Sequence, residues 1–265
     1  MLKYLNQFIF ILLLLANFSN GFASSSTYHL PKKYPAYIQN KKWRTVVTLG
    51  AGVATTKSVG TSQNFPIRDP MTDEFYSYTA NQPAQSSREL EAFVGAQWQL
   101  NAKWQLQQGL AYLAPSSFSA AGTLLQGADL ISADTYNYSY KIIVRDILYE
   151  TKLFYTIGKR FHPYAELGLG TSLNTSYNFQ TTVPPTITFT REYKCNTYVF
   201  FSYAVGGGLA VDLNDNMRLG VGYRFVDFGK SQFGKVTVNT SDVPGTITQS
   251  HLYNNQAFTQ LSWLF

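Results

Sequence analysis

Six ionisable side chains carry the strongest chemical suggestion in this sequence: Glu91, Glu150, Lys152, Glu166, Arg218 and Arg224. All fall on the glycine-rich, polar parity of runs in which apolar and polar residues alternate. Carboxylates and bases sharing one interior face suit a network of paired charges, since an unpaired charge there would be costly. A gated path for ions or small solutes is the functional version of the same arrangement. A carboxylate pair such as Glu91 and Glu166 has the chemistry of a general acid and base, but an interior location disfavours it. His29, His162 and His251 are far apart and lack metal-ligand spacing. Ser250 and His251 adjoin each other just before the last apolar run. Gly206-Gly207-Gly208 lies inside a strand pattern with no Lys-Ser/Thr behind it, so it is not a phosphate loop. Asn174-Thr175-Ser176 and Asn239-Thr240-Ser241 match glycosylation spacing, and Cys195 is a lone cysteine that builds no disulfide framework. The residues therefore assign no catalytic group, no cofactor and no metal.

The elements that must position the charges are strands. Trp43, Thr45, Val47, Leu49, Ala51 and Val53 share one parity, and the same period of two recurs seven more times along the chain. The further runs cover about residues 89–98, 104–112, 146–157, 164–173, 201–212, 217–225 and 256–265. In the third, Gln108 interrupts the apolar face. Upstream of the fourth, Tyr138, Tyr140, Ile142 and Val144 are apolar on the opposite parity, which predicts a bulge near Arg145. Three connections are tight: 101–103, 158–162 and 214–216. Four are longer, about 57–87, 114–137, 180–192 and 229–250. An even strand number with short turns at one end and long loops at the other is the pattern of a transmembrane barrel.

Composition agrees. Of 265 residues, 45% are hydrophobic, 16% aromatic and only 14% charged, against about a quarter charged in soluble domains. Mean hydropathy is −0.13, and the one long apolar run, Phe8 to Ala16, is too short to cross a bilayer as a helix. Disorder and a basic nucleic-acid binder are also excluded, the latter because the net charge of +6 is scattered rather than clustered. Lys3, the run 8–16 and Gly21-Phe22-Ala23 read as a secretory signal peptide over 1–23. Residues 24–41 read as an irregular lead-in, and 42–265 as the barrel.

Alternation alone does not say which face points outward, because a soluble lipocalin-like barrel has the same period. Three features choose. The polar parity is studded with glycine (Gly50, Gly52, Gly95, Gly168, Gly170, Gly206, Gly208, Gly220, Gly222) beside mixed charge, which suits a narrow lumen rather than a solvated exterior. Trp43, Trp98, Trp104 and Trp263 lie at strand ends, on the apolar parity and on the short-turn side, as an interfacial girdle does. The chain ends in an alternating strand closed by Phe265. The expected fold is all-β: a closed eight-stranded antiparallel up-and-down transmembrane β-barrel.

Leu219-Gly220-Val221-Gly222-Tyr223-Arg224-Phe225-Val226-Asp227-Phe228-Gly229 and the closing segment Gln256 to Phe265 resemble the last two strands of the eight-stranded outer-membrane barrels of Gram-negative bacteria, in the opacity-protein-like and outer membrane protein A/W-like superfamily. The resemblance covers about 42–265. It implies an outer-membrane location, with Phe265 as the signal read by the barrel-assembly machinery. It implies lipid and lipopolysaccharide as neighbours, and a structural or adhesin-like role. No nucleic-acid partner is expected. The long loops are the best candidates for contact with a host or environmental ligand: the first carries Lys57, Arg68, Asp69, Asp73, Glu74, Phe75, Tyr76 and Tyr78, the second Asp129, Asp134, Tyr136 and Tyr138. A narrow channel for ions or small, even hydrophobic, solutes is the alternative. A lipid-modifying enzyme, resting on Ser250 and His251, stands third; the leading reading is not an enzyme.

Overall fold

The computed structural model describes residues 43–69, 72–128, 133–184, 190–238 and 241–265. The expected signal peptide and lead-in, 1–23 and 24–41, lie outside the described residues, as do Asp129 and Asn239.

Eight strands form a ring: β1 (Trp43–Thr56), β2 (Gln85–Gln99), β3 (Trp104–Pro115), β4 (Asp134–Tyr155), β5 (Phe161–Thr181), β6 (Asn196–Asn214), β7 (Met217–Asp227) and β8 (Tyr253–Leu264). Each pairs antiparallel with its neighbour in sequence. β1 closes on β8 from Val46 opposite Leu264 to Thr56 opposite Asn254. The ladder therefore has no free edge around the ring, which is the condition for placing a sheet in hydrocarbon.

Alternation then sorts the two faces. Leu90, Leu169, Val205 and Val221 point outward and are 64%, 49%, 51% and 50% exposed, whereas Glu150, Lys152 and Arg224 point inward and are buried. Water-soluble folds do the reverse. On β1 the outward apolar face runs from Trp43 to Val53. At ~3.4 Å per residue and a tilt of ~40° this spans roughly 26 Å, the height of a barrel's lipid-facing band. Gln108, which interrupts the outward face of β3, is matched by Thr151 on β4, and its Nε2 donates to Thr151 Oγ1 at 3.4 Å.

The inward glycines make room for large side chains. Gly95 and Gly109 face each other across β2 and β3. A Cβ on either would come within 2.7 Å of the tip of the Phe93 ring and 2.2 Å of a backbone carbonyl. The Phe93 ring occupies the space those two side chains would need.

Beyond the ring, the long connections are built rather than loose. The first contains a hairpin, Gln63–Asp69 with Thr72–Ala80. The second contains Phe118–Gly127, which pairs with both that hairpin and the upper part of β4. The fourth turns back into the barrel mouth, where Phe228, Phe233 and Ile247 are buried. The expected bulge near Arg145 is absent. β4 runs unbroken over 22 residues, and Tyr138, Tyr140, Ile142, Val144, Asp146, Leu148 and Glu150 all point inward. Parity does not slip; the chemistry of the inner face changes instead, because the strand leaves the membrane and its interior becomes an ordinary apolar core. The register irregularity of this strand lies higher, between Ser139 and Lys141 opposite β5.

A closed barrel resists detergent until heated. Protein extracted in detergent is expected to migrate faster on a gel unboiled than boiled. Gly109→Leu, which forces a side chain into the Phe93 ring and the facing strand, is expected to abolish the fast form or to lower stability by about 1–3 kcal/mol; an unchanged shift would contradict the packing described.

Candidate functional site

The lumen holds its charges in tiers. In the upper tier, Arg224 Nη2 donates to Glu89 Oε1 and Glu91 Oε2, both at 2.8 Å, and Nη1 lies 3.6 Å from Glu150 Oε2. Arg224 Nε donates to Gln256 Oε1, and the guanidinium sits 4.5 Å from the centre of the Phe258 ring. In the tier below, Lys152 Nζ is 2.9 Å from Glu150, 3.5 Å from Glu166 and 3.9 Å from Glu91, and donates to Gln260 Oε1 at 2.9 Å. Four carboxylates thus surround two cations. The pairing is the one that desolvated charges require: removing one partner would leave the others buried and uncompensated.

Arg218, grouped with these residues by parity, stands apart. Its Nε donates to Asp212 Oδ1 at 2.6 Å, and its Nη groups donate to Gln97 and Gln105 at 3.0 and 3.2 Å. His162 Nε2 reaches Asp212 Oδ2 at 2.7 Å, and its Nδ1 lies 3.1 Å from Thr156 Oγ1. Between this tier and Lys152 lies an aromatic pair, Phe154 and Tyr164, with centroids 5.1 Å apart. Arg218 rests over Phe154 on one side and Lys152 over Tyr164 on the other. His162, expected in the short turn 158–162, is instead a buried lumen residue of β5.

Above the charges, the connections form an aromatic-cored cap. Tyr78 meets Phe65, Tyr138 and Tyr193 edge-on at 5.9, 5.1 and 5.9 Å. Phe179 packs against Tyr138, Tyr193 and Phe233. Arg191 fastens three connections together. Its guanidinium lies 4.5 Å from the Phe65 ring, 5.5 Å from Tyr76 and 5.9 Å from Tyr193. Its Nη2 donates to the carbonyls of Pro244 and Gly245. Buried Asn174 donates from Nδ2 to the carbonyls of Phe228 and Lys230, fixing the fourth connection to the barrel wall. That burial rules it out as a glycan acceptor. Tyr76, Tyr78 and Tyr138, expected to be exposed contact residues, are the core of the cap; an aromatic cluster on an aqueous extension gains more by facing inward. Burial pushes the phenols of Tyr76 and Tyr78 well above the usual tyrosine range.

Outside, Trp263, Trp43, Trp98 and Trp104 sit at the turn end of four adjacent strands, β8, β1, β2 and β3. Trp43 is opposite Trp98, Trp263 is opposite Val47 and Met217, and Trp104 packs on Tyr155 at 4.9 Å. At the other end of the wall, on β6 to β8, a second aromatic row runs Phe201, Tyr203, Phe225, Tyr253 and His251 with successive centroids 5.2–6.5 Å apart. Sequence reading missed this row, although its first four members share the outward parity. Ser250 is exposed, and His251 Nδ1 is paired with Asp227 Oδ2 at 2.8 Å. Phe265 is exposed, its N–H donating to the carbonyl of Thr45.

Glu89, Asp146, Asp212 and the glutamines 97, 105, 256 and 260 were also not singled out, yet their parity places them on the inner face. Arg191, in an unpatterned connection, gave no signal.

Among solved structures, the chain is similar to the outer membrane protein OprG from Pseudomonas aeruginosa at 12% identity, covering 83% of this chain and 95% of that one with a TM-score of 0.45. It is similar to Neisserial surface protein A at 11%, covering 85% and 98% with a TM-score of 0.41. It is also similar to the outer membrane protease OmpT from Escherichia coli at 9%, covering 86% and 98% with a TM-score of 0.46. No family model and no curated protein matches the sequence. The chain's own closed ring, apolar wall and charged interior define it as a transmembrane β-barrel of the outer-membrane kind.

Arg224→Met should destabilise the barrel by about 3–5 kcal/mol, because buried Glu89 loses its counter-charge and Glu91 the nearer of its two; unfolding by denaturant in detergent measures it. A second expectation concerns alkali. Tyr76 and Tyr78 stay protonated longer folded than unfolded, so their stabilising contribution is complete below about pH 10 and is lost above it as the unfolded phenols ionise. The share of tyrosinate absorbance owed to these two phenols, read as the difference from a Tyr76→Phe/Tyr78→Phe variant, should therefore rise only with cap opening; ordinary titration of both phenols in an intact cap would refute the burial.

Proposed function

We propose that this chain is an outer-membrane anchor whose role is structural or surface-interactive, exercised by the outer faces of its cap. The observation that carries this reading is the double plug. The tiers of Arg224, Lys152 and Arg218 fill the lumen, and the fourth connection together with the aromatic cap fills the mouth above it. What such a barrel offers its surroundings is the exterior of a rigid extension held beyond the lipid, the usual location of contact sites on a scaffold. The assembly role of Phe265 belongs to this proposal. So does the anchoring of the wall by the tryptophan girdle at one membrane face, with the row from Phe201 to Tyr253 marking the other face. The adhesive surface is not the aromatic set but the solvent-facing residues around it, Lys57, Asp134 and, on the first connection's hairpin, Asn64 and Thr79 among them.

A narrow channel is the second reading. It is favoured by the excess of carboxylates over cations around Lys152, which would select for cations if the network parted.

Planar-bilayer recordings separate the two. The wild-type barrel is expected to conduct negligibly, and Lys152→Ala with Arg224→Ala to raise conductance with a cation preference. Robust wild-type conductance abolished by those substitutions would favour the channel. Adhesion is read directly by replacing 63–80 with a short turn in a heat-modifiable barrel, with loss of cell or matrix binding expected.

A further inference from the structure

The outward face of β4 changes character step by step above the apolar band. Tyr149 and Ile147 belong to the band. Arg145 and Lys141 follow with Ile143 between them, then Ser139 and Asn137. Next to them, Arg88 projects from the same outer wall on β2, one strand beyond β3. Arg88, Lys141 and Arg145 make no ion pair with any described residue, whereas Arg218, Arg224 and Lys152 in the lumen are each paired. The outward residues opposite Lys141 and Arg145 are uncharged: Ser119, Tyr177 and Leu173. Arg145 Nη1 donates to the carbonyls of Val144 and Pro115 at 2.6 and 3.3 Å, which ties the guanidinium to the backbone of the wall and leaves its charge without an acidic partner. Three uncompensated cations at the upper border of a lipid-facing wall form an anion-binding strip.

Higher on the same wall is a groove of about 700 Å³. Asn81, Asn137, Ser139, Gln180 and Thr182 edge it, and Ala121 and Gly122 floor it. It contains no charged side chain. The small floor follows from strand pairing, with Ala121 opposite Ser139 and Ser139 opposite Gln180. The side-chain amides of Asn81 and Asn137 make no hydrogen bond to other described residues, while Thr182 Oγ1 accepts from the Asn137 N–H at 2.8 Å. Amides and hydroxyls around a shallow, uncharged floor match the ring hydroxyls of a neutral sugar, which both donate and accept. Ser139 is six residues above Arg145 and two above Lys141, so along a tilted strand the groove stands roughly 15 Å above Arg145 and roughly 5 Å above Lys141.

We propose that this wall binds a lipopolysaccharide molecule of the barrel's own leaflet. Its acyl chains would lie on the band, its phosphates on Arg88, Arg145 and Lys141, and its core sugars in the groove. The vertical order of apolar, cationic and neutral hydrogen-bonding surface is the order of groups in a phosphorylated glycolipid standing in a membrane, and charge complementarity selects it over a zwitterionic lipid. The inference rests on the membrane placement in the proposed function, but not on the adhesive role.

The test is native mass spectrometry of the heat-modifiable barrel in detergent, titrated with rough lipopolysaccharide, lipid A, dephosphorylated lipopolysaccharide and phosphatidylglycerol. Rough lipopolysaccharide should bind best. Affinity should fall roughly fivefold per cation removed, on the order of a hundredfold for R88Q/K141Q/R145Q. R88Q/K141Q, which spares the arginine bonded to the backbone, keeps the test open should the triple variant fail to fold. N137A/Q180A should lose roughly fivefold for rough lipopolysaccharide and nothing for lipid A. Binding no tighter than that of phosphatidylglycerol, or unchanged in the charge variants, would overturn the proposal. Equal affinity of wild type for lipid A and rough lipopolysaccharide would remove the sugar groove from it. None of these outcomes touches adhesion, which the hairpin replacement tests separately.

Discussion

Every other feature of this molecule depends on the pairing of β1 with β8. A backbone N–H or C=O without a partner costs several kcal/mol in hydrocarbon, so a sheet of these strands is tolerated there only when its two ends meet. The ladder from Val46–Leu264 to Thr56–Asn254 supplies that closure. Once the ring exists, alternation has two destinations, lipid and lumen, and the lumen is a desolvated space. That is why the interior charges are interlocked: Arg224 joins Glu89, Glu91 and Glu150, and Lys152 joins Glu150, Glu166 and Glu91. The glycines of the inner parity are the steric complement of this filling, giving space to Phe93, Tyr164 and Phe258.

The same strands obey opposite rules at their two ends. On β4, the inward residues from Asp146 down to Lys152 include the charged groups, and those from Tyr138 to Val144 are apolar. Nothing in the backbone changes between these stretches. The surrounding medium does: lipid makes an apolar exterior favourable, and water above the band makes an apolar interior favourable. One chain is thus a membrane protein below and an ordinary β-structure above. Arg191 and Asn174 fasten the upper part where strand pairing alone would leave connections free.

Much of this was legible in the residue order. Eight runs of period two, three tight turns and the glycine-studded parity describe the ring, and the parity of Glu91, Glu150, Lys152, Glu166, Arg218 and Arg224 places all six inside. The misreadings have two causes. Tyr76, Tyr78 and Tyr138 suggested exposed contacts because they fall in long connections, which were taken as displayed loops. The apolar parity of Tyr138 to Val144 suggested a bulge because outward was equated with apolar along the whole strand. That equation fails where the strand leaves the lipid, a boundary that alternation does not mark. Arg191 was invisible because its partners, Phe65, Tyr76, Tyr193 and the carbonyls of Pro244 and Gly245, come from three connections far apart in sequence.

Residue order alone settles which residues share a face, since side-chain direction in a strand follows from counting by two. It also settles that the chain closes into a barrel with its charges inside, since a polar parity built of glycine and mixed charge suits a narrow lumen better than a solvated exterior. The folded ring was needed to establish who partners whom across the lumen, that Phe154 and Tyr164 divide Arg218 from the other charges, and that the long connections build a packed cap. Those outcomes depend on the stagger of eight strands around a ring and on contacts between distant connections, and neither is encoded in any local period.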